Sequence, residues 1–225
     1  MDEYMSEQEQ WEALKRWVRE YGRWVVVGIA LGAIAVAAWR WWVSYVDARA
    51  LEASAKYEQI LDAFDANDHT RALTLMGELE REHPSSPYVD HANLVAARVA
   101  VERNELERAA MLLDKVMKHT KDRELSLVAR LRLARVQLAQ GKPDDALATL
   151  NAVEPGAFAS RYHEVRGDVH YAKGDKVAAL KEYQAARLAD ATGAVDVGRL
   201  ELKIGDLLAE GVSTGSGPAT ASTAD

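Results

Sequence analysis

The run WVVVGIALGAIAVAAWRWWVSYV, from Trp24 to Val46, constrains this chain more than any other stretch. A helix rises about 1.5 Å per residue and a hydrocarbon core is about 30 Å thick, so roughly 20 apolar residues suffice to cross it. The run meets that length with a single charge, Arg40. Arg40 lies about five residues, roughly 7 to 8 Å, from the midpoint near Ala35. An arginine at the bilayer centre costs about 2.5 to 3.5 kcal/mol, whereas one nearer the edge extends its guanidinium into the headgroups. Trp39, Trp41 and Trp42 beside it, with Tyr21 and Trp24 at the other end, are the amphipathic rings expected at two membrane interfaces.

Orientation follows from lysine and arginine near the span. Lys15, Arg16, Arg19 and Arg23 precede it, whereas Arg49 and Lys56 follow it. This bias predicts residues 1–23 in the cytoplasm, a transmembrane helix over 24–46, and everything later across the membrane. A cleaved signal peptide, with Ala33, Ala35 and Ala37 as its small residues, is the alternative. The long acid-containing leader and the tryptophans after Ala38 favour an uncleaved anchor. In the leader, Ser6 and Glu9 fit a capping box, and Trp11, Leu14, Val18 and Tyr21 recur at helical spacing. Within the span, Gly28 and Gly32 form GxxxG, a candidate face for a partner helix.

The net charge of −7 argues against nucleic acid, which proteins usually meet with a basic face. With no cysteine, the chain has no disulfide, thiolate nucleophile, zinc-thiolate site or lipid-bearing cysteine. The six histidines are dispersed and lack HExxH spacing; His163 and His170, two turns apart, have no third ligand. No catalytic constellation, metal site or cofactor motif emerges, and a non-enzymatic role is expected.

After the span the sequence has no strand alternation and is self-similar. Asn67-Asp68 precedes Ala72 and Met76, and Asn104-Glu105 precedes Ala109 and Leu113. Gly141-Lys142 precedes Ala146 and Leu150, and Gly174-Asp175 precedes Ala179 and Tyr183. The pitches are 104−67=37, 141−104=37 and 174−141=33. An Asn or Gly that accepts a left-handed conformation ends one helix; an alanine then lets the next approach closely.

The pattern resembles the tetratricopeptide repeat, a helix-turn-helix unit of about 34 residues. Repeats starting at Ala53, Asp90, Leu127 and Ser160 put the small first-helix position at Ile60, Ala97, Ala134 and Gly167, and Pro84 at a late proline. The early aromatic position holds Lys56, Asn93, Arg130 and His163 instead. The expected fold is all-α: one N-terminal transmembrane helix, then a right-handed helical solenoid of about four repeats over 47–210. Leu200, Leu202, Ile204, Leu207 and Leu208 would supply a capping helix. The tail, 211–225, has little to bury and is expected to be disordered.

In tetratricopeptide domains, first-helix positions 2, 5, 9, 12 and 13 hold peptides or partner helices. That resemblance selects Tyr57, Leu61 and Phe64; Leu94, Arg98 and Val101; Leu131, Arg135 and Leu138; and Asp168 with Tyr171. Arginines among aliphatics suit an extended chain, their guanidinium groups taking carboxylates or carbonyls.

From the leader through Leu208 the sequence resembles the YfgM family, ancillary subunits of the bacterial SecYEG translocon, with departures chiefly in the first repeat and the tail. The resemblance rests on the basic leader, LGAIAVAAWRWW, NELERAA at 104–110, LRLARVQL at 131–138, KGDKVAAL at 173–180 and LKIGDLL near the end. It implies an inner-membrane protein with a periplasmic domain, partnered by SecYEG and the membrane-anchored chaperone PpiD. It also implies a role in passing unfolded, newly translocated proteins to periplasmic chaperones. A self-assembling envelope scaffold, with homo-oligomers, or a peptide-binding repeat module unconnected to Sec are the alternatives.

Overall fold

The computed structural model describes residues 7–190 and 193–213. The capping-box serine, Ser6, and most of the expected disordered tail lie outside the described residues. The first helix, α1 (Glu7–Asp65), is followed by α2 (His69–Glu82), α3 (Pro87–Glu102), α4 (Leu106–His119) and α5 (Arg123–Ala139). Next come α6 (Pro143–Asn151), a 3-10 turn at Gly156–Phe158, α7 (Ala159–Ala172), α8 (Lys176–Leu188) and α9 (Val197–Ala209). There is no strand among the described residues. The chain divides into two compact units, up to Ala55 and from Lys56 on.

The described part of the first unit is helix alone. Its most apolar window has a mean hydropathy of 1.7 and none of it is buried against protein, so by length and composition it can cross a bilayer. Trp17 lies against Tyr21, Trp41 stacks on Tyr45, and Arg23 sits over the Trp24 ring. A side chain built at Gly28 or Gly32 would meet nothing within 4 Å, so nothing in the chain itself requires those glycines.

The second unit is a row of helix pairs: the end of α1 with α2, α3 with α4, α5 with α6, and α7 with α8, followed by α9. The sequence phrase that marks each pair acts as expected. Asn67, Asn104, Gly141 and Gly174 all have positive φ, between 56° and 80°. In each turn the following amide reaches back to a carbonyl five residues earlier, as in Asp68 N to Ala63 O and Asp175 N to His170 O. The asparagines show that the turn needs a left-handed residue, not glycine as such. Ala72, Ala109, Ala146 and Ala179 are fully buried where the second helix meets the first.

The position lacking the usual aromatic has a different use. Lys56 bonds Glu78 of α2 at 3.0 Å, Arg130 donates to the Thr149 carbonyl of α6 at 3.0 Å, and His163 meets Glu182 of α8 at 2.7 Å. Three pairs are thus tied across by a polar contact in place of ring packing. In the remaining pair Asn93 turns back onto its own helix, donating to the Val89 carbonyl.

Apolar cores lie between the helices. One joins α3, α4 and α5 through Leu94, Ala97, Leu113, Val116, Leu133 and Val136. The next joins α5, α6 and α7 through Leu131, Leu150, Tyr162, Val165 and Val169. In α9, Leu200, Ile204 and Leu207 close the α8 side, but Leu202 and Leu208, expected in the cap, are 70% and 52% exposed. A helix at the end of a row has one covered face, and those two leucines project from the other. The chain after α9 repeats the inter-helix turn: Gly211 has φ 82° and Val212 N bonds Leu207 O. At 211−174=37 residues past Gly174, α9 therefore ends as the first helices of the repeats do. Val212 packs onto the terminal core.

Tyr162 is fully buried and donates its hydroxyl to the Leu127 carbonyl at 2.9 Å. Burial pushes this phenol up to about 12, against the ordinary 10.0. The neutral phenol favours the folded state, so its contribution is complete below pH 10 and is lost as pH rises toward 12. The thermal midpoint is expected to fall through that window, and less steeply in Tyr162→Phe; equal slopes would contradict this assignment.

Candidate partner-binding groove

Between α3 and α5 the apolar core opens to solvent. The opening, about 270 Å³, has a floor of Leu94, Ala97, Leu106, Leu113 and Val136, with Val101 and Ala139 along its margin. Three arginines are among its lining residues, Arg98 on α3 and Arg132 and Arg135 on α5. The groove exists because α3 and α5 are first helices of successive repeats. Both rest on α4, whose Leu106 and Leu113 lie between them. Ala97 and Ala139 are too small to fill the gap.

Of the residues selected from the sequence, Leu94, Arg98, Val101 and Arg135 meet here. The others do not. Leu131 is 4% exposed and belongs, with Leu138 packed against it, to the core that α5 shares with α7. Phe64 is buried, its ring beside His69, in the seam with α3 and α4 rather than on the groove. Tyr57 lies 5.4 Å from the Tyr88 ring, and Leu61 is half-buried. Tyr171 is half exposed on α7.

Asp168 joins an ionic cluster that sequence reasoning missed. At its centre is Glu164 of α7, only 3% exposed. Glu164 accepts from Arg199 at 2.9 Å and Lys203 at 3.2 Å, both on α9, and faces Arg135 of α5 at 3.9 Å. Lys203 also donates to Asp168 at 2.6 Å, and Tyr183 Oη donates to Asp168 at 2.8 Å. Burial, with the Asp168 carboxylate beside it, raises the Tyr183 phenol well above its ordinary value. Glu164 occupies the fifth position of its repeat, where Leu94 and Leu131 stand in theirs. A carboxylate among aliphatic equivalents was the available signal. Arg132 lies one turn from Arg135, so helical spacing alone could have found it.

The histidines do not converge. His163 pairs with Glu182 and His170 faces Asp175 at 3.9 Å. Among the described residues no group of three or more His, Asp or Glu side chains could hold a metal ion.

A model of the tetratricopeptide repeat-like domain matches residues 15–209, most of the chain. The chain is 33% identical over 207 residues to the "Ancillary SecYEG translocon subunit" of Escherichia coli (strain K12), an alignment covering 92% of this chain and 99% of that protein. The chain belongs to this family. Identically named relatives from Haemophilus influenzae and Neisseria gonorrhoeae are 28% and 26% identical, over 81% and 83% of this chain and 89% and 90% of theirs. As a member of the ancillary SecYEG translocon subunit family, the chain carries the repeat-like domain and an apolar helix in one polypeptide.

Proposed function

We propose that this chain is a membrane-anchored adaptor of the Sec translocon. Its repeat domain stands on the periplasmic side of the inner membrane and its first residues in the cytoplasm. The observation that carries the reading is the near end-to-end match to the Escherichia coli relative, anchor helix included. The family resemblance adds SecYEG and PpiD as partners and transfer of newly translocated, unfolded proteins to periplasmic chaperones as the task.

Anchoring matters physically because it confines the groove to the membrane plane beside its partners. A tethered site sees its partner at an effective concentration of order millimolar, so weak contacts suffice. Gly28 and Gly32, open on the anchor, provide a face for a helix of the translocon. The role is binding, not catalysis.

Protease added to spheroplasts is expected to digest the chain beyond residue 46; protection of the C-terminal part would reverse the orientation. A photocrosslinker at Arg98 in intact cells should capture SecYEG or PpiD. The Arg135→Glu change in that background should weaken capture with helical content kept. Capture of neither partner would sink the adaptor reading.

A further inference from the structure

We infer that the slot between α3 and α5 takes a partner segment in which one apolar side chain is flanked by carboxylates, a refinement that rests on the slot being the adaptor's binding surface. The carrying observation is where the charge of the three guanidiniums goes. Arg132 makes no ion pair or hydrogen bond among the described residues. Arg98 has only Glu102 on its own helix, at 3.6 Å, with both side chains more than 60% exposed. Such an exposed pair contributes roughly 0.3 to 0.5 kcal/mol and yields readily. Arg135 faces Glu164 at 3.9 Å, but Arg199 and Lys203 already bond that carboxylate. No carboxylate lines the slot. A chain with net charge −7 thus presents a local cationic rim around an apolar floor.

Size narrows the occupant. The 270 Å³ lies below the range of about 300 to 1,000 Å³ usual for sites that engulf a small molecule. It suits a single anchoring side chain whose backbone stays at the rim. Arginines placed there offer paired N–H donors to carboxylates on either side of the anchor. A client segment flanked by lysine would bring like charge onto the rim and be rejected. The slot is therefore selective, not a general apolar surface for any unfolded chain.

The test uses the full chain in nanodiscs of neutral lipid and a fluorescent decapeptide carrying one phenylalanine with two glutamates on each side. Matched peptides replace the glutamates by glutamine or by lysine, or the phenylalanine by serine. The acidic peptide should bind at least about tenfold more tightly than the glutamine one, and its affinity should fall with added salt. The lysine and serine peptides should bind no better than background. Arg132→Glu should abolish the acidic preference, and Arg132→Gln should reduce it if the charge reversal perturbs folding. Equal binding of acidic and lysine peptides, or indifference to both Arg132 variants, would overturn the inference. So would displacement of the acidic peptide by nanodiscs of anionic lipid, which would make the rim a headgroup site. If crosslinking to the translocon persists without peptide selectivity, the slot chemistry falls alone. Selectivity without crosslinking sinks the adaptor reading and leaves the slot chemistry standing.

Discussion

Gly167→Ala is expected to destabilise the repeat domain by about 2 to 4 kcal/mol, although alanine is the better helix former by about 1 kcal/mol. A Cβ at Gly167 would lie 2.4 Å from Cδ1 and Cε1 of Tyr183 and 3.1 Å from Cζ. Ordinary relaxation would be to swing the ring aside, but this ring is held. Tyr183 is 3% exposed, its hydroxyl donates to Asp168 at 2.8 Å, and the Lys203 ammonium lies 5.2 Å from its centroid. Moving it surrenders a buried hydrogen bond of about 1 kcal/mol and opens a void beside Ala179 and Leu180. The alternative is to part α7 from α8. The midpoint of thermal unfolding by circular dichroism should drop by about 4 to 16 °C. Pairing the change with Tyr183→Leu should recover much of the loss, because the coupling is between those two side chains. A raised midpoint for Gly167→Ala alone, the result that helix propensity by itself dictates, would refute the close approach.

This glycine also shows which features of the fold were legible beforehand. The left-handed turn residues, the four buried alanines and the small first-helix position are local: each is one residue type imposed by one backbone geometry. Their spacing revealed the helix pairs. Ile60, the exception at the small position, is nevertheless fully buried, so that pair accommodates a larger side chain at the same depth.

The groove was legible only in part, and α5 explains why. Leu127, Ala129, Leu131, Leu133, Ala134 and Val136 are all buried around its circumference, because neighbouring repeats cover it from both sides. On such a helix no apolar stripe distinguishes inward from groove-facing positions. Leu131 therefore looked equivalent to Leu94 by repeat position yet faces α7 instead of the opening. The exposed Leu202 and Leu208 of α9 illustrate the converse: apolar character did not mark the buried face at the end of the row. The ionic cluster was less accessible still. Glu164 meets cations 35 and 39 residues later in sequence, and no local spacing rule joins them.

That cluster couples the end of the row to the groove, which gives Glu164→Gln two readouts of opposite sign. The amide preserves volume but removes the charge that holds Arg199, Lys203 and Arg135 around one buried site. Removing one member of a fully buried ion pair costs about 3 to 5 kcal/mol. Here the arginine side chains are 47% and 58% exposed and can rehydrate, so about 1 to 3 kcal/mol is expected. In a row where each helix pair contacts only its neighbours, the loss should be local. Amide exchange should quicken in α9 and the adjoining part of α7, while α3 and α4 keep their protection. At the same time Arg135 loses its carboxylate neighbour and the groove rim becomes more cationic. The acidic decapeptide should therefore bind about two- to fivefold more tightly to a variant that is itself less stable. Uniformly faster exchange throughout the domain would mean Glu164 supports the whole stack and not its terminal joint. Unchanged or weaker peptide affinity would mean that Arg135 is committed to the cluster and does not serve the groove.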